Sequence, residues 1–133
     1  MQPDETALSL MSFRLQQARN SLESALDTKD LQTAANRSYY SIFYAMRAIQ
    51  ALDRFDSKKH SGVIANFRQN YIKTGIFPVA FSDIVGNAFK VRIESDYEDF
   101  YLISKAEVAA QVKNAETFLA AVEKYVGERI KHP

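Results

Sequence analysis

The chain contains no cysteine, which excludes disulfides, thiol chemistry and thiolate metal sites. Its two histidines, His60 and His132, stand too far apart to suggest a zinc site, and neither a metal nor another cofactor is expected. No apolar run approaches the roughly 20 residues that span a bilayer, so no membrane association is expected. The segment Met1-Gln2-Pro3-Asp4-Glu5 is acidic and lacks an apolar stretch, unlike a signal peptide. The expectation is a soluble, cytoplasmic protein. An excess of one charge is also missing. With a net charge of +1, nucleic acid would not be bound by bulk electrostatics, and any such contact has to be local. Period-two strand patterns, internal repeats, low-complexity tracts and interdomain linkers are absent as well.

What is present is helical periodicity over nearly all of the 133 residues. Leu8, Met11, Leu15, Ala18, Leu22 and Ala25 recur three and four apart, predicting a first helix capped by Asp4 or Thr6. Thr28-Lys29-Asp30 breaks the pattern, and a second helix is predicted from about Leu31 to Leu52. A polar loop, Asp53 to Lys59, leads to a short amphipathic piece, Ser61 to Ile72. The breakers Gly75 and Pro78 precede a fourth helix over roughly Val79 to Glu94, in which Gly86 lowers helix propensity or marks a close contact. Ser104-Lys105-Ala106-Glu107 is a capping box. It opens a last helix with the stripe Val108, Val112, Ala115, Leu119, Val122 and Val126, its fraying end marked by Gly127 and Pro133. One all-α domain, residues 1–133, folded as an up-and-down bundle of four to five helices, is the expected architecture.

The second helix has two faces. At about 100° per residue, Tyr44, Tyr40 and Arg47 fall within about 80° of Arg37, and Ile42 and Ile49 lie over 100° away on the other side. One face fills the core and the other gathers two arginines and two tyrosines. Three readings are open for that second face. It is a surface with snorkelling side chains, a symmetric dimer face rich in Tyr and Arg, or a phosphate or nucleotide site. The last two are compatible if a groove crosses a dimer seam.

Three segments carry a resemblance: Asn36-Arg37-Ser38-Tyr39-Tyr40-Ser41-Ile42-Phe43-Tyr44-Ala45-Met46-Arg47-Ala48, Ser57-Lys58-Lys59-His60-Ser61-Gly62-Val63-Ile64, and Arg92-Ile93-Glu94-Ser95-Asp96-Tyr97. Together, in this order, they resemble the HEPN family, and more narrowly its small stand-alone prokaryotic members. The resemblance implies an all-α bundle of four to five helices that dimerises. It further implies membership of a toxin–antitoxin or defence-type system, metal-independent ribonuclease activity in many members, and frequent pairing with a minimal nucleotidyltransferase. The ribonuclease signature is an Arg, four to six residues, then a His, two copies meeting across the dimer seam.

Arg37 matches the signature arginine. Six residues further on stands Tyr44, where relatives of this branch often carry His. Metal-free RNA cleavage needs a group that moves a proton near neutral pH and a cation for the phosphorane. Arg37 supplies the cation, but a tyrosine with a reference pKa near 10 is a poor base. His60, at the expected start of the third helix, where backbone N–H groups favour anions, is the alternative proton carrier. The candidate catalytic residues are thus Arg37, Tyr44 and His60. Asn36, Tyr40, Arg47 and Lys59 are the ligand-binding candidates on the first two segments. Arg92, Asp96 and Tyr97 are those on the third, Arg92 and Asp96 being spaced for an ion pair. The expected function is binding of RNA or a nucleotide at a dimer-seam groove. The alternatives are a non-catalytic module that binds a protein such as a nucleotidyltransferase, and an active ribonuclease using Arg37 with His60 or Tyr44.

Overall fold

The computed structural model of the chain describes residues 3–97 and 103–131, and of residues 95–97 only the backbone. Helix α1 spans Glu5–Asp27, α2 Leu31–Leu52, α3 His60–Phe67, α4 Val79–Tyr97 and α5 Lys105–Lys131. A turn of π-helix, Arg68–Ile72, continues α3. The fold is the expected all-α bundle. No strand occurs among the described residues, and no helix there is long and apolar enough to cross a membrane.

Local chemistry sets the helix ends. Asp4 accepts the Ala7 amide at 2.8 Å and so caps α1. Asp30, read from the sequence only as part of a break, caps α2 through the Thr33 amide at 2.9 Å. The Ser104–Glu107 capping box forms in both directions, at 3.0 and 3.2 Å. Helix α2 ends in a Schellman motif without glycine: the Phe55 amide donates to the Gln50 carbonyl, the Arg54 amide donates to the Ala51 carbonyl, and Arg54 takes the left-handed conformation at φ 59°.

One boundary differs from expectation. Helix α4 runs three residues past Glu94, to Tyr97. Helix α5 passes through Gly127 to Lys131, because Arg129 ties its last turn to α2. The guanidinium donates to both Asp53 carboxylate oxygens, at 2.6 and 3.0 Å, and to the Leu52 carbonyl at 3.3 Å. His132, the second of the two histidines, lies outside the described residues.

The bundle is built around α2. Helix α1 pairs with it as a helical hairpin across a three-residue connection, and α3, α4 and α5 pack on its remaining sides. Buried polar side chains fasten α1, α3 and α5 to it. Ser41 donates to the Ala18 carbonyl of α1 at 2.9 Å. Gln50 donates to the Val63 carbonyl of α3 at 2.8 Å, and Gln111 of α5 to the Ala35 carbonyl at 3.4 Å. Beside α2, Phe67, Phe77, Phe81 and Phe118 form an aromatic core with centroid spacings of 5.3–5.8 Å, within the favourable range for ring pairs.

Candidate functional site

With neighbours on nearly every side, α2 has little free surface. Between Ala34 and Leu52 every residue is buried except Asn36, Arg37, Tyr40, Tyr44 and Arg47. These five form one half-exposed strip, and they include all the residues picked on this helix by the 100° arithmetic.

Within the strip, Asn36 accepts from Arg37 Nε at 3.0 Å and from Nη2 at 2.6 Å. That fork holds the Arg37 guanidinium 5.3 Å from the Tyr40 ring centroid. No carboxylate among the described residues forms an ion pair with it. Tyr40 and Tyr44 sit 5.7 Å apart in a tilted pair. Arg47, expected as a ligand-binding residue, has a partner within the chain. It binds Asp56 at 2.7 Å, and the same carboxylate takes Arg14 at 3.1 Å. Asp56 therefore already neutralises much of the charge that Arg47 would offer a ligand. Hydrogen bonding from Arg47, with burial opposing it and Arg14 assisting, holds the Asp56 carboxyl below its ordinary range. Arg14 is almost fully buried, its pKa lowered by burial and by Arg47, and it braces the arrangement by donating to the Arg47 carbonyl at 3.2 Å.

His60 is the first residue of α3. Its ring stacks on Phe43 at 4.2 Å and meets Tyr40 edge-on at 6.0 Å. Its Nδ1 lies 2.5 Å from the hydroxyl of Tyr39, a residue with no exposed surface. Burial pushes the Tyr39 hydroxyl well above its ordinary pKa, with Arg92 opposing it only in part, so the phenol keeps its proton. Burial also pushes the His60 imidazole below its ordinary value, aided by Arg92 and Arg47, so the ring is neutral at neutral pH. Where the Tyr39 O–H donates in this contact, Nδ1 accepts and the ring carries its own proton on Nε2. Nε2–H is then a hydrogen-bond donor, and the ring has no free lone pair for a base.

The turn that delivers His60 depends on Gly62. A Cβ there would stand 2.7 Å from Ser57 Oγ, the atom that accepts the Lys59 amide at 3.2 Å. Lys59 precedes α3 without capping it through its side chain and is exposed. From α4, Arg92 lies 5.5 Å from the centroids of both Tyr39 and Tyr40. The side chains of Asp96 and Tyr97 lie outside the described residues, and with them the expected Arg92–Asp96 pair.

The structure thus brings Arg37, Tyr40, His60 and Arg92 together around one ring. It keeps Tyr44 beside them and turns Arg47 toward Asp56. Sequence reasoning did not assign the roles of Tyr39, Phe43, Asp56 and Arg14. Tyr39 and Phe43 carried one usable signal, since at 100° per residue they flank Tyr40 on the side away from Arg37. Among the described residues, no group of three His, Asp or Glu side chains comes together to hold a metal ion.

Residues 11–125 match the description of the HEPN domain. The chain belongs to the HEPN family. This HEPN chain is 30% identical over 120 residues to a UPF0332 protein of Thermotoga maritima, covering 88% of this chain and 91% of that protein. It is also 30% identical over 115 residues to a Methanocaldococcus jannaschii protein named "Putative toxin", covering 84% and 78%. A second protein of that organism with the same description is 26% identical over 102 residues, covering 77% and 75%. The HEPN match takes in the whole α2 strip, His60 and Arg92.

Proposed function

We propose that this HEPN protein is of the toxin type and binds RNA or a nucleotide through phosphate, in a groove along the α2 strip shared by two copies across a dimer seam. The observation that carries the reading is the surroundings of Tyr40. Arg37, Arg92 and His60 stand 5.3, 5.5 and 6.0 Å from its ring centre. Two cations, a neutral N–H donor and a ring for base stacking are the groups that single-stranded nucleic acid requires. The strip is also composed of the Tyr and Arg that favour protein interfaces.

The same geometry supports binding over cleavage. Attack of a 2′-hydroxyl on the adjacent phosphate needs an acceptor for the hydroxyl proton. Tyr39 occupies the lone pair of His60, and Tyr44 stands where the signature has His. Arg37 and Arg92 stabilise the phosphate in the ground state in either case.

The test uses metal-free buffer, single-stranded RNA and three proteins: wild type, Arg37→Ala and His60→Gln. Wild type binds by fluorescence anisotropy and leaves the RNA intact. Arg37→Ala weakens binding about tenfold or more, the worth of a charge-assisted contact of about 1.5–3 kcal/mol. Equal affinity of wild type and Arg37→Ala would remove the groove reading. Cleavage by wild type that disappears in His60→Gln would replace it with the nuclease. Light scattering reads the dimer, and a monomer at tens of micromolar removes the shared seam.

A further inference from the structure

His60 borders the α2 strip at Tyr40, and the surface continues beyond it between α3 and α4. A cleft of about 380 Å³ between α3 and α4 is lined by Ser61, Ile64, Ala65, Arg68, Gly86 and Phe89. It begins beside His60. Ser61 follows His60 in the chain, and the Phe89 ring is 6.5 Å from the His60 ring and 6.0 Å from Tyr39. At its far end is Arg68, the first residue of the π-turn.

Arg68 is an oriented cation. Its Nε donates to Ser82 Oγ at 2.8 Å and its Nη2 to the Ser82 carbonyl at 3.3 Å. Both partners are neutral, and no carboxylate among the described residues forms an ion pair with it. Gly86 makes room for that pose, since a Cβ there would lie 2.9 Å from Arg68 Nη2. A glycine inside a helix lowers its stability, and here it lets a charged group lie against the α4 backbone. The half-buried Phe89 supplies a ring between this cation and His60.

We infer that the α3–α4 cleft extends the groove and takes a further stretch of single-stranded RNA, one base against Phe89 and a following phosphate on Arg68. The inference rests on the nucleic-acid reading of the α2 strip and names its substrate class. The ligand is an oligonucleotide, and a mononucleotide would fill only part of the groove.

Two probes test this, the dinucleotide UpU and octauridylate, each titrated into the full chain at several salt concentrations. Wild type binds the octamer more tightly than the dinucleotide. Arg68→Ala weakens octamer binding about fivefold, and the dinucleotide by less. Its slope of log affinity against log salt for the octamer falls by about 0.7, one phosphate contact on a single strand. Gly86→Ala keeps the charge but displaces the guanidinium, and it also weakens the octamer. Octamer affinity and salt slope unchanged in Arg68→Ala and Gly86→Ala would overturn the extension, as would equal binding of the two probes by wild type. Displacement of the octamer by octaglutamate as readily as by unlabelled octauridylate would overturn its assignment to RNA. Arg37→Ala separates the two levels. If it weakens both probes while Arg68→Ala changes neither, the strip stands and the extension falls. If wild type binds neither probe, both fall.

Discussion

At the scale of single residues, Tyr39 and His60 are the controlling pair. Tyr39 is buried by the fold, and its hydroxyl meets Nδ1 of His60 at 2.5 Å, so the proton position on that ring is tied to this contact. Tyr39→Phe keeps the ring and removes that donor. The expected cost is about 1 kcal/mol of stability, the usual net worth of one hydrogen bond. Nitrogen-15 NMR should show His60 as the Nε2–H tautomer in wild type and a mixture of tautomers in the variant. The same histidine makes stability fall in mild acid. Its folded pKa lies below its ordinary value of 6.5, so on acidification the unfolded chain takes up a proton before the folded one. The contribution is fully present above pH 6.5 and is lost as pH falls from there through the lowered folded value. Urea midpoints measured at half-unit pH steps should show this loss in wild type and its absence in His60→Gln. A second loss, from Asp53 and Asp56, begins only near their ordinary value of 3.8, since both carboxyls are held below it. At Asp53 burial works the other way, and the hydrogen bonds from Arg129 and Tyr71 outweigh it.

At the scale of the elements, much was legible in the sequence, and the reasons are local. Helix periodicity, the Ser104–Glu107 box and the Arg37–Tyr44 face depend on residues a few positions apart, which helix geometry alone relates. Contacts between distant segments were not legible. His60 meets Tyr39 across 21 positions, and Arg47 turns to Asp56 across nine. Charge and periodicity do not single out Asp56 within a polar loop. The end of α2 at Leu52 was legible, but the chemistry that stops it there was not. A Schellman stop normally advertises itself by glycine, and here Arg54 fills the left-handed position. Arg54→Gly is therefore expected to stabilise the chain by about 0.5–1 kcal/mol. Relief of the left-handed penalty outweighs the greater entropy of glycine in the unfolded chain. The one ion pair lost, to Asp4 at 3.4 Å, is exposed on both sides and worth little. A drop in the urea midpoint would contradict this account.

At the scale of the whole molecule, stability is concentrated where α2 and the Phe67–Phe118 cluster meet. Phe118 has no exposed surface and touches Phe67 and Phe81 at 5.4 and 5.3 Å. Phe118→Ala should cost about 3–5 kcal/mol. That is a large share of the roughly 5–15 kcal/mol that holds a domain of this kind together, and the thermal midpoint should fall sharply or the transition lose its cooperativity. The enclosure of α2 on nearly all sides also governs how the strip can move. A helix so enclosed exposes its amide protons only when the domain opens as a whole. Deuterium should therefore enter α2 last, and at the rate set by global unfolding. A bound ligand would slow that entry only as far as it raises overall stability. The α2 wall of the proposed groove then persists for as long as the domain stays folded, and adjustment to a ligand would fall to the α3 and α4 sides.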